Sequence, residues 1–430
     1  MPLLVEQRLP NGLRVITLPM PWLHEAEIAL VARAGSRFEA PQEAGLAHFL
    51  EHMLFKGTGA MPDPTRFHRC LDALAADVNG ATSPEQALYW ISLPPAHLEA
   101  GGRLFAALFT DPAFSDLETE RCVVLEEMRE DENDRGELVQ PALMSAPLLW
   151  PGHALARSVL GTPATLARLD TDALRRHLAR HYGAVNLALA FTGPVTPERT
   201  LPLAQAMLGS LPPGTRHFLP PPPPMTPGPH WLAADDTTSQ LDLVLFFRTD
   251  DWGGLTYHPG AACRRLLDDG LASRLQVAIR EQRGLAYEVW AAFSPYADTA
   301  LLEIGATVSP TNFERVFALL LDQLYGLGET PPCNDEWQRL LTRWRADLER
   351  TLDHPGDLID RFVTDILFDL PETLPEAWTR IRALSPEDIT RQVRSLLRPS
   401  SLVVTLVGPR AKSLLPSLKA IFAAHPFAGL

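Results

Sequence analysis

Lysine is almost missing from this chain: Lys56, Lys412 and Lys419 are the only three in 430 residues. Arginine carries the remaining positive charge, and 52 acidic residues against 38 basic ones leave a net charge of −14. A phosphate backbone is held by a basic surface, so nucleic acid is excluded as a partner. Cationic or neutral peptides remain compatible with this charge. The lysine scarcity comes with abundant Ala, Leu and Pro, and reads as genomic bias rather than chemistry. Cysteine is scarce as well: Cys70, Cys122, Cys263 and Cys333 are widely spread, with no C-x-x-C. They point neither to a disulfide framework nor to a thiolate metal site, and they fit a reducing compartment. No apolar run reaches the length of a membrane span. The N-terminus, Met1-Pro-Leu-Leu-Val-Glu-Gln-Arg8, has no charged segment followed by an apolar one, as a secretory signal would. The expectation is a cytoplasmic protein with no membrane partner. With 46% hydrophobic and 21% charged residues over this length, a globular chain of two domains is expected.

What is present is a histidine pair around a carboxylate. Residues 48–52 read His48-Phe49-Leu50-Glu51-His52. On a helix, positions i, i+3 and i+4 share one face. His48 and His52 can therefore grip one metal ion, with Glu51 beside it to take a proton from water. This H-x-x-E-H order is the reverse of the H-E-x-x-H motif. A helix is predicted near 42–56, with Pro41 in its first turn, Gly57 at its stop, and Leu46, Leu50, Met53 and Leu54 as its apolar stripe. A catalytic zinc needs a third protein ligand. The acidic run Ser115–Arg135 is the candidate region, opened by a capping box of Ser115 and Glu118. Glu120 and Glu127 lie seven apart on one helix face, while Glu126, Glu130, Asp131, Glu132 and Asp134 compete. Periodicity does not choose between Glu126 and Glu127. His177 and His181 are four apart with no glutamate beside them, and surface or packing roles are expected for them.

The chain also repeats. Leu211–Pro229 holds five consecutive prolines, Pro220–Pro224, a semi-rigid spacer at mid-chain. Before it, Leu169–Gly193 reads as an amphipathic helix, a turn and an apolar strand ending in glycine. After it, Leu384–Gly408 repeats that pattern without a gap at an offset of 215, half the chain. Asp172 and Ser385 are plausible N-caps of the two helices. Elsewhere Asn11-Gly12 predicts a hairpin between Val5–Leu9 and Leu13–Leu18. Further strands are expected at 26–34, 86–93, 239–247, 286–294 and 299–307. Helices are expected near 64–76, 96–109, 116–133, 259–268, 271–282, 311–325 and 334–352. This is an α+β pattern rather than a strict βαβ alternation.

The stretches GLAHFLEHMLFKGT, DVNGATSPEQALYW, ETERCVVLEEMRED and SRLQVAIREQRGLAYEV, with the half-length repeat, resemble the M16 metallopeptidase family. Its members include pitrilysin, insulin-degrading enzyme and the mitochondrial processing peptidase. The resemblance covers essentially the whole chain. It implies two homologous α/β-sandwich domains: a zinc-binding domain over 1–210, the linker 211–229, and a domain without the metal motif over 230–430. It implies one zinc ion per chain, held by His48, His52 and Glu127, with Glu120 orienting a ligand histidine and Glu51 as general base. Asn79, Gly80, Ala81 and Thr82 would lie on an edge strand that pairs with the substrate backbone. Gly80 stands where the family more usually has alanine, a change expected to loosen that edge. In the second half Arg280 and Tyr287 match an Arg/Tyr pair, Tyr287 hydrogen-bonding the oxyanion and Arg280 steadying the substrate or that tyrosine, with Arg283 a nearby competitor. The activity implied is that of a zinc endopeptidase enclosing peptides or small unfolded proteins in a clamshell chamber. In half-size members the Arg/Tyr pair opposite a zinc site comes from a partner subunit, which implies a self-complementing homodimer. A heterodimer with a second M16 subunit and a non-catalytic assembly subunit are the alternatives.

Overall fold

The computed structural model describes residues 4–249, 257–370 and 372–429. Its chain divides into two compact units. The first comprises Met1–Met128, Arg157–Pro220 and Glu349–Thr373. Its strands are β1 (Val5–Arg8), β2 (Arg14–Pro19), β3 (Ala26–Ala32), β4 (Asp77–Thr82), β5 (Ala87–Leu93) and β6 (Leu187–Gly193). They form one mixed sheet in the order β1-β2-β6-β3-β5-β4. The Asn11-Gly12 turn joins β1 and β2 as an antiparallel pair, as expected.

The sheet is covered on both faces, and the two-residue period of a strand sorts its side chains. Ile28, Leu30 and Ala32 of β3 enter one core with Leu187, Leu189 and Phe191 of β6. That core also takes side chains from the helices Leu46–Leu54, Leu98–Thr110 and Thr171–His181. The intervening Ala29, Val31, Ala188 and Ala190 face a second cluster with Leu358, Ile359, Val363, Ile366 and Leu367. Burial on both faces is why β6 reads as an uninterrupted apolar run.

The second unit comprises Arg129–Ala156, Pro221–Leu348 and Leu374–Leu430. Its sheet has β7 (His230–Asp235), β8 (Leu241–Thr249), β9 (Ala286–Pro295), β10 (Ala300–Val308) and β11 (Leu402–Gly408), in the order β7-β11-β8-β10-β9. Helix Pro141–Leu149 packs Ala146 and Leu149 against Val244, Phe246, Leu301 and Val403. The Ser145 and Thr405 hydroxyls hydrogen-bond there at 2.7 Å. Segments 129–156 and 349–373 thus each belong to the unit built mainly from the other half of the sequence.

Both units repeat one plan. β6 runs parallel to β2 and antiparallel to β3; β11 runs parallel to β7 and antiparallel to β8. Each closing glycine is pressed on the same neighbour. A Cβ on Gly193 (φ 106°) would lie 2.4 Å from the Glu25 carbonyl oxygen, and one on Gly408 (φ 128°) 2.4 Å from that of Gln240. The separations 408 − 193 and 240 − 25 are both 215, so the repeat extends from sequence to backbone contact. The α+β expectation of two similar units holds.

Several local expectations need correction. The Thr171–His181 helix is capped by Asp170, whose carboxylate accepts from the Ala173 N–H at 2.7 Å; Asp172 lies inside its first turn. Ser385 does cap its helix, in a reciprocal box with Asp388. Ser115 caps nothing: its hydroxyl donates to the Pro62 carbonyl, and the acidic helix spans Leu117–Arg129. The histidine-bearing helix begins at Leu46, after a separate 3-10 turn at Pro41–Glu43. Residues 276–281 form a π-helical turn rather than an α-helix. Strand β7 and helices Pro141–Leu149, Pro197–Leu208 and Ala411–Ala424 were not anticipated. Among the described residues no helix is long and apolar enough to cross a membrane.

Candidate metal centre and active site

Helix Leu46–Leu54 owes its position to its apolar stripe. Leu46, Phe49, Leu50, Met53 and Leu54 are fully buried, which turns His48, Glu51 and His52 to another face. Its first turn is held by Glu39, whose carboxylate accepts from the Gly45 N–H at 2.9 Å and the Ala47 N–H at 2.6 Å. Such amides have no partner within a helix. Burial pushes the Glu39 carboxyl up to about 7, opposed by those two amide bonds and by Arg157. The Arg157 guanidinium donates to the Glu39 carbonyl at 2.8 Å. Glu39 went unnoticed in the sequence; its place before a glycine and a helix start is the signal it offered.

Helix Leu117–Arg129 buries Glu120, Val124 and Met128. On its half-buried flank it carries Glu127, while Glu126 is exposed. His48, His52 and Glu127 each offer an atom within 4.8 Å of the others, and they are the one such trio among the described residues. The Glu127 carboxylate lies 3.6 Å from His48 Nε2 and 3.8 Å from His52 Nε2. These distances are too long for good hydrogen bonds. They are close to the roughly 3.3 Å that separates ligand atoms around a tetrahedral zinc with bonds near 2 Å. Burial, with His52 second, lowers His48 to about 4, so its imidazole is neutral at pH 7 and keeps a lone pair. His52 Nδ1 sits 3.2 Å from a Glu120 oxygen, the outer contact that fixes a ligand imidazole's tautomer. The other Glu120 oxygen pairs with Lys56 Nζ at 2.5 Å. Lys56 was also missed, although it stands one helical turn after His52 and is one of only three lysines.

Glu51 lies beside this trio. Its Oε2 accepts from the Thr82 hydroxyl at 2.5 Å. Burial raises its pKa, opposed by that hydrogen bond and then by His52. Among the described residues strand β4 pairs only with β5 and ends the sheet, so its outer edge is open to another strand. Asn79 and Ala81 are exposed along it, whereas Gly80 and Thr82 are half-buried. A Cβ on Gly80 would stand 2.9 Å from Glu51 Cγ and 3.2 Å from the Phe55 ring. The glycine therefore marks close packing of strand on helix rather than only a looser edge.

Arg280 and Tyr287 belong to the second unit. Arg280 lies in the last turn of the π-helical segment Gln276–Glu281, and Tyr287 lies on β9, the last strand of its sheet. Tyr287 is 79% exposed, and neither side chain hydrogen-bonds to any described residue. The neighbouring Arg283 does have a partner, donating to the Ala278 carbonyl at 2.7 Å. His177 and His181 are buried and packed ring to ring at 4.6 Å.

Residues 14–163 match the family model described as Insulinase (Peptidase family M16), and residues 168–343 match that of the peptidase M16 inactive domain. An uncharacterized zinc protease of Mycobacterium leprae is 30% identical over 321 residues, 74% of this chain and 72% of its own. The chain belongs to peptidase family M16. An uncharacterized zinc protease of Streptomyces coelicolor is 28% identical over 93% of this chain and 88% of its own length. The uncharacterized zinc protease YmxG of Bacillus subtilis is 25% identical over 93% and 97%. In fold, this M16 chain is similar to a protease from Helicobacter pylori: TM-score 0.84, 20% identity, 95% and 100% of the two chains covered. It is equally similar to a peptidase M16 inactive domain structure from Pseudomonas fluorescens: TM-score 0.84, 19% identity, 94% and 98% covered. The donor set, a carboxylate and two imidazoles, that of His52 oriented through its Nδ1 by Glu120, suits zinc.

Proposed function

We propose that this M16 chain is a zinc-dependent endopeptidase acting on peptides or small unfolded proteins. The observation that carries the reading is Glu51 standing beside the His48, His52 and Glu127 cluster. When bound, zinc would supply a Lewis acid for a peptide carbonyl and a water of lowered pKa. Glu51 takes the water proton on the oxygen that Thr82 leaves unengaged and returns it to the departing amine. The open edge of β4 takes the substrate as an added strand through the backbone of Asn79, Gly80, Ala81 and Thr82. Strand addition reads main chain rather than side chains, which suits a peptidase with broad sequence tolerance. Tyr287 and Arg280 complete the site from a second copy of the chain, facing the oxygen on which negative charge develops.

Cleavage of an unstructured peptide, with zinc content measured in parallel, tests this reading. Glu51→Gln is expected to keep zinc and to lower kcat roughly a hundred- to ten-thousand-fold. His48→Ala, His52→Ala and Glu127→Ala are expected to lose the metal. Full activity in Glu51→Gln would remove Glu51 from the mechanism.

A further inference from the structure

We infer that Thr82 is a positioning residue for Glu51, so that the strand offered to the substrate also sets the general base; this rests on the endopeptidase reading above. The Thr82 hydroxyl meets Glu51 Oε2 at 2.5 Å across 31 residues of sequence. Gly80 and Thr82, two apart, share the half-buried face of β4, and that face is turned to the histidine helix. At Gly80 the contact is so close that a Cβ would lie 2.9 Å from Glu51 Cγ. The carboxylate is therefore bounded by strand backbone at its stem and by the strand's hydroxyl at its tip.

The residue types suit this task. A glutamate has three side-chain torsions, and without a partner it spreads over several staggered states. Threonine is stiff at χ1 because it is β-branched, so its hydroxyl direction is set by the strand itself. A base must lie within hydrogen-bond reach of the proton it removes, and small misplacements cost rate. A peptide paired on β4 takes its register from the same backbone that aims Glu51. Base and scissile bond thus share one frame, and the engagement of one carboxylate oxygen leaves the other for chemistry.

The test combines crystal structures of the zinc-free proteins with zinc content and peptide cleavage for wild type, Thr82→Val and Thr82→Ser. Thr82→Val keeps the shape and removes the donor. It is expected to bind zinc and to hold KM, to lower kcat about ten- to hundred-fold, and to show the Glu51 carboxylate displaced. Thr82→Ser is expected to restore the carboxylate position and most of kcat. A Glu51 that stays in place in zinc-free Thr82→Val, or a kcat equal to wild type, overturns the inference. A zinc-loaded wild type that cleaves no peptide sinks the endopeptidase reading instead, while the zinc-free structures still decide whether Thr82 positions Glu51.

Discussion

Glu120 is buried and holds two partners at once, His52 Nδ1 at 3.2 Å and Lys56 Nζ at 2.5 Å. A carboxylate in that place needs its cation, because an unpaired buried charge is costly. It also needs the imidazole, whose Nδ1 proton it accepts so that Nε2 faces Glu127. Glu120→Gln keeps the shape and removes the charge. Zinc affinity is expected to fall about ten- to a hundred-fold, read by competition with a chromogenic chelator, with the fold retained by circular dichroism. The H-x-x-E-H motif was legible because its three residues lie within one helical turn. The choice of Glu127 over Glu126 was not legible from periodicity. It depends on which flank of helix Leu117–Arg129 faces the histidines, and burial of Val124 and Met128 decides that. The hydroxyl of Thr82 was invisible for the same reason: nothing local links it to Glu51.

At the scale of the element, the histidine helix hangs on its buried cap. The folded-state pKa of Glu39 is raised from 4.5 to about 7, so the folded protein binds this proton more tightly than the unfolded chain does. The stability contributed by the protonated form is full below about pH 4.5 and is lost as pH rises through about 7. Glu39→Gln does not titrate, and its loss of one of the two amide bonds is the same at every pH. The stability difference, variant minus wild type, is therefore expected to grow in the variant's favour between about pH 4.5 and 7, by on the order of 3 kcal/mol for that shift. Urea unfolding of the zinc-free proteins across this range measures it, and parallel curves for the two proteins would refute it. The strands and helices that alternate or carry a stripe were found close to their true bounds. The exceptions follow from distance: the separate Pro41–Glu43 turn and the Asp170 cap depend on how the chain enters each helix. Helix Pro141–Leu149 joins a sheet formed by strands from the other half of the sequence, which no local pattern encodes.

At the scale of the molecule, the 215-residue repeat gave two units with one strand plan but divergent chemistry. The histidine helix of the first has its counterpart in Tyr257–Leu267, which carries no histidine pair, and the exposed Arg280 and Tyr287 are found only in the second. If a site is completed by the partner in a two-fold dimer, each copy gives its metal set to one site and its Arg/Tyr pair to the other. His52→Ala chains lack the metal and Tyr287→Phe chains lack the phenol, so either protein alone has no complete site. A mixed dimer, however, joins the intact metal set of one chain to the intact tyrosine of the other and restores one site of two. With random exchange at equal amounts about half the dimers are mixed, and activity is expected to return to about one quarter of wild type. Recovery should require dissociation and reassembly of the subunits, so mixing without exchange gives none. If the site were instead completed within one chain, no amount of subunit exchange would raise activity above that of the separate variants.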